Sequence, residues 1–84
     1  MTTKNIRTPK GWTRRELADS RYPLVFTRVY NGKTFRIAPD TFETDRWTVD
    51  VACLGMYERH TNRTFATPSE AAGWFADDAL AFAA

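Results

Sequence analysis

Residues 67–82, Thr67-Pro68-Ser69-Glu70-Ala71-Ala72-Gly73-Trp74-Phe75-Ala76-Asp77-Asp78-Ala79-Leu80-Ala81-Phe82, carry the most complete set of helix signals in the chain. The Thr67 hydroxyl can accept from the first free backbone N–H groups. Pro68 stands at the first helical position, where its missing N–H costs nothing, and Glu70 completes a capping box. At about 100° per residue, Ala71, Ala72, Phe75, Ala76, Ala79, Phe82 and Ala83 share one broad face. So many small residues let the helix axis come close to a strand layer, with Phe75 and Phe82 worth about 1.5–3 kcal/mol each if fully covered. The residues before the helix are therefore expected to form a sheet. The predicted fold is α+β, an antiparallel sheet of three to four strands with one C-terminal helix across one face.

The strongest strand signal is Asn31-Gly32 between Leu24-Val25-Phe26-Thr27-Arg28-Val29-Tyr30 and Lys33-Thr34-Phe35-Arg36-Ile37. A two-residue turn there pairs Tyr30 with Lys33, Arg28 with Phe35 and Phe26 with Ile37, leaving Val25, Thr27, Val29, Thr34 and Arg36 on the other face. Neither face is purely apolar, as expected of a sheet whose outer face also has a task. Pro39 to Asp45 reads as a loop. Arg46-Trp47-Thr48-Val49-Asp50-Val51-Ala52-Cys53 alternates strictly, with Trp47, Val49, Val51 and Cys53 inward, and reads as the central strand. Gly55 ends it, and Met56 to His60 returns as a further strand. The predicted core holds Phe26, Phe35, Ile37, Trp47, Val49, Val51, Phe65, Phe75, Ala76, Ala79 and Phe82. Upstream, residues 1–12 read as a flexible basic arm and residues 13–84 as a single domain. The Thr13-x-x-Glu16 capping pattern predicts a short helix from Arg14 to about Asp19.

The 84 residues carry a net charge of +2 that conceals a division. Residues 1–36 hold nine Lys/Arg against Glu16 and Asp19, whereas residues 37–84 hold Arg46, Arg59 and Arg63 against eight carboxylates. A basic half of this kind is the electrostatic footprint of a site for an anionic partner, nucleic acid above all. Its counterpart reading is a solvated surface whose two signs neutralise each other in the fold.

Catalytic groups are sparse. Cys53 is the one cysteine and His60 the one histidine, too few for a zinc site or a disulfide framework, and Asp77 and Asp78 point about 100° apart on a helix. With no glycine-rich phosphate loop, the chain reads as a binding protein and not an enzyme, with no cofactor and no metal. It shows no signal peptide and no apolar span, which predicts a cytoplasmic protein without a membrane role. Trp74 lies opposite the alanine face. It is either exposed as an interface anchor beside Asp77 and Asp78 or covered by Trp12, Leu17 or Tyr22.

The order of strands followed by Thr64-Phe65-Ala66-Thr67-Pro68-Ser69-Glu70-Ala71-Ala72 and an alanine-rich helix resembles the APETALA-type, ethylene-response-factor DNA-binding domains and the arm-type domains of phage integrases. The resemblance spans residues 34–82. It implies a helix backing a sheet whose open face presents Arg and Trp to the DNA major groove, with 46–51 as the middle strand and Arg36 in the place of a first-strand arginine.

Two functions are expected from these features. The first is nucleic-acid binding, DNA first, through Arg7, Lys10, Arg14, Arg15, Arg28, Lys33, Arg36 and Arg46, assisted by Lys4, in a monomer or weak homodimer. The alternative is a phage-type accessory or anti-defence protein that inhibits a host protein or nucleoprotein complex, for example a CRISPR effector, through Trp74, Asp77 and Asp78.

Overall fold

The structure is a computed structural model that describes residues 6–17, 23–43 and 45–83, with side chains up to residue 76. Asn31 and Gly32 take φ of 53° and 78°, the left-handed pair that a two-residue hairpin turn requires. They join β2 (Leu24–Tyr30) to β3 (Lys33–Pro39) in the predicted register, Tyr30 opposite Lys33 and Phe26 opposite Ile37. Leu54 and Gly55 repeat the turn, with φ of 52° and 82°, between β4 (Trp47–Cys53) and β5 (Met56–Arg59).

A fifth strand corrects the expectation of three to four. Thr13–Glu16, predicted to open a short helix, is a strand, β1, that pairs antiparallel with β2, Thr13 opposite Thr27 and Glu16 opposite Leu24. Two physical terms favour it. A helix there had only Leu17 to anchor it, whereas β1 satisfies the outward backbone groups of β2 and carries Trp12 into the core. Residues 18 and 19, the end of that predicted helix, lie outside the described residues. The sheet runs β1-β2-β3-β4-β5, antiparallel throughout. β3 therefore lies at its centre, and β4, expected there, lies one strand over.

The helix α1 (Pro68–Ala83) crosses one side of the sheet. Its start is capped as predicted at Thr67, whose hydroxyl accepts from the Glu70 N–H at 3.1 Å. The Glu70 carboxylate reaches one residue further back than a standard capping box and accepts from the Ala66 N–H at 3.1 Å. Phe75 meets Phe35 with ring centroids 4.6 Å apart, Trp12 at 5.3 Å and Tyr30 at 5.8 Å. These are the offset and edge-on separations at which aromatic pairs attract beyond their buried area.

Of the predicted core, Phe26, Phe35, Ile37, Trp47, Val49, Phe65 and Phe75 are buried, and Val51 and Ala76 are half-buried. The side chains of Ala79 and Phe82 lie outside the described residues. Trp12, Leu24 and Ala71 join the cluster, and Ile6 packs against it. Cys53, predicted to point inward, is exposed because β4 runs past the covered area into its turn.

Candidate nucleic-acid interface

Three tight turns close the same end of the sheet. β2 and β4 run towards it, so Asn31-Gly32 and Leu54-Gly55 both lie there. The third turn, in which the Trp12 N–H donates to the Pro9 carbonyl at 3.1 Å, delivers the chain to Thr13 opposite Thr27. Each turn contains a glycine at positive φ, Gly11 at 88°, Gly32 at 78° and Gly55 at 82°. At Gly11 the positive φ alone selects glycine, since a Cβ there would make only ordinary van der Waals contact with Arg28 Nη1, at 3.7 Å.

These turns gather cations. Lys10 precedes Gly11, Lys33 follows Gly32, and Arg28 reaches from β2 towards Gly11, its guanidinium carbon 5.7 Å from the Tyr30 ring centre and 5.8 Å from that of Phe75. Lys10 and Lys33 are exposed. Arg14 lies further from the turns on the same side, where it donates to the Ile6 carbonyl at 2.7 Å, pairs with Glu16 at 3.4 Å and stands over Phe26. That bond ties the strand to Ile6, the residue before exposed Arg7. Of the eight predicted basic residues, the strand register sets Arg14, Arg28 and Lys33 on the helix-bearing side, and Arg7 and Lys10 are exposed in the segment that leads into β1. Glu58 occupies the same cross-strand row as Arg28, three strands away, about 14 Å at ordinary strand spacing.

The remaining three lie elsewhere. Arg15 is exposed on the side without the helix. Arg36, on that same side, donates to Asp50 Oδ2 from Nη2 at 2.8 Å and from Nε at 3.1 Å, and its guanidinium lies 4.1 Å from the Tyr57 ring centre. Arg46 donates to the Thr64 hydroxyl at 3.0 Å and to its carbonyl at 2.9 Å, which holds the approach to α1 against the foot of β4. The bridge between Trp47 and Phe65 lies beside it. Trp47 itself is buried on the helix side and presents no ring to the open face.

Buried carboxylates on the open side are answered by arginine. Asp50 takes Arg36, and Asp40 takes Arg59 while also accepting from the Glu43 N–H at 3.1 Å. No side-chain polar atom buried among the described residues lacks a partner.

Trp74 is half-buried, its ring 5.7 Å from Phe65 and 5.9 Å from His60, while Tyr22, one of the neighbours expected from sequence, lies outside the described residues. The side chains of Asp77 and Asp78, and all of Lys4, lie outside the described residues. His60 sits edge-on to Phe35 at 5.2 Å, while Cys53 stands at the turn end. Val49, whose carbonyl accepts from the His60 N–H, lies four positions along β4 from Cys53, about 13 Å, so the two do not form a reactive pair. No group of metal-ligating residues occurs among the described residues, and no described helix is long and apolar enough to cross a membrane.

Sequence offered one sign of this site, the glycines at 11, 32 and 55 next to Lys10, Lys33 and Leu54. Only the strand order reveals that the three turns meet. Comparisons with family models, with curated proteins and with solved structures find no match to this chain.

Proposed function

We propose that this protein is a non-catalytic binding module for nucleic acid, duplex DNA first, and that it grips phosphates with the turn end of its sheet. One observation carries the reading. The turns at Gly11 and Gly32 lie at one end of the sheet and bring Lys10 and Lys33 there, and Arg28 reaches from β2 towards Gly11. Two of these groups extend from exposed positions and Arg28 is held by aromatic rings, an arrangement that positions charge without neutralising it.

The resemblance to sheet-reading DNA-binding domains supports the ligand class while the contact surface differs. Arg36, the residue in the place of a base-reading arginine, is engaged by Asp50 and Tyr57, whereas exposed Lys10 and Lys33 lie at the end of the sheet. Phosphate contact fixes position without reading sequence, so this surface suits binding with weak sequence preference.

The test is a salt series with duplex DNA. Three phosphate contacts, from Lys10, Arg28 and Lys33, give a log–log slope of about −2.7, falling in steps as cations are reversed. Affinity for the duplex that is absent at low salt, or flat with salt, overturns the reading. A ligand held with no salt dependence favours the alternative, a protein target of an inhibitor.

A further inference from the structure

Leu54 is 99% exposed and stands at φ 52°. Both properties are adverse for leucine, since a branched apolar side chain gains nothing in water and an L-residue other than Asn, Asp or Gly is disfavoured in the left-handed region. The same molecule contains the favourable solution. Asn31-Gly32 makes an equivalent turn, at φ 53° and 78° against 52° and 82°, two strand spacings away, about 10 Å. The leucine is therefore not required by the turn. It is joined by Met56, 71% exposed, across the base of the hairpin, and nothing described in the chain covers either.

What lies next to this tip limits the occupant. The β3–β4 register ends with Phe35 opposite Val51, and continued two residues to the strand ends it would bring Lys33 beside Cys53, immediately before Leu54. The row of cations from Lys10 through Arg28 to Lys33 thus runs directly into the apolar tip. A cationic edge continuous with a protruding aliphatic side chain is complementary to a duplex, whose phosphates meet the lysines while the side chain enters between base pairs.

We propose that Leu54 is an apolar wedge that unstacks a base step of the duplex held by Lys10, Arg28 and Lys33. This rests on the duplex-binding reading above and adds a consequence that binding alone does not have. The ligand is kinked, and flexible pyrimidine–purine steps are favoured because they cost least to open. Met56 flanks the opening and covers the exposed base edge.

The experiment uses the full chain and a short duplex carrying 2-aminopurine beside a central TpA step, whose fluorescence rises on unstacking, with a circular-permutation bending assay in parallel. Wild type is expected to bind, raise the fluorescence and bend the duplex. Leu54→Asn, which places at the tip the residue that Asn31 already shows to fit this turn, is expected to keep duplex affinity within about threefold and lose both signals. Duplex binding by wild type with no rise and no bend overturns the wedge and leaves the nucleic-acid reading intact. Equal signals from Leu54→Asn also overturn it. No duplex binding at all overturns both readings, and Leu54-dependent binding to anionic phosphatidylserine vesicles in its place identifies a lipid surface as the occupant.

Discussion

Arg36 on β3 and Asp50 on β4 face each other across the side of the sheet that carries no helix, two guanidinium nitrogens donating to the single oxygen Oδ2 at 2.8 and 3.1 Å. The arginine side chain is 18% exposed and the aspartate 8%. Asp50 Oδ1 lies 3.3 Å from the Thr48 hydroxyl, and Tyr57 stacks on the guanidinium. A charge so engaged braces two central strands. Asp50→Ala should cost about 2–4 kcal/mol, below the upper range for a fully buried pair because Arg36 retains some water. Urea denaturation measures this. Arg36→Gln should cost at least as much, since it leaves the more buried Asp50 carboxylate without its cation, and should leave the salt slope of DNA binding unchanged. A flatter slope at native stability would move Arg36 into the interface.

Sequence pattern made the hairpin at Asn31-Gly32 and the cap at Thr67 legible because both are set by neighbours within four residues. β1 was not legible for the opposite reason. Thr13-Arg14-Arg15-Glu16 satisfies a local helix rule, and only the exposed edge of β2, whose partner residues are eight to fourteen positions away, makes the strand the better choice. Cys53 misled in the same way, since alternation gives the face of a strand but not how far the helix covers it. The grouping of Lys10, Arg28 and Lys33 depends on which turns share an end of the sheet, which is a property of strand order. The open-side network was hidden because Asp40 and Arg59 are far apart in sequence.

Trp12 supplies a second prediction. It is 6% exposed and packs edge-on to Phe75 at 5.3 Å. Trp12→Ala should therefore cost about 3–5 kcal/mol, a large share of the roughly 4–12 kcal/mol expected for a domain of this size. Thermal unfolding by circular dichroism checks it. A variant that melts like wild type would mean that residues 6–12 do not hold the core.

A third concerns the cost of Leu54 to the fold. Replacing it by Asn relieves a leucine from the left-handed region and removes an exposed apolar side chain. Leu54→Asn should raise stability by about 0.5–1 kcal/mol, the direction expected when a residue is kept for its action on the bound duplex at the expense of folding. The denaturant midpoint should move upward with an unchanged m-value. A lower midpoint would show that Leu54 makes contacts within the chain.

The last prediction separates the two sides of the sheet. Lys10 and Lys33 are exposed at the turn end, and Arg15 is exposed on the opposite side. All three can be reversed without disturbing a buried contact, so stability should change by no more than about 0.5 kcal/mol in each case. Their effects on duplex binding should differ. Lys10→Glu and Lys33→Glu should each flatten the log–log salt slope by about 0.9, because each removes one phosphate contact, and together by about 1.8. Arg15→Glu changes the net charge of the protein by the same amount and should leave the slope in place, lowering only the association rate through the long-range field. The comparison controls for net charge, since all three variants carry the same one. Equal flattening by Arg15→Glu would put the phosphates on the open side, beside Arg36 and Arg59, and the turn end would lose its claim to the ligand.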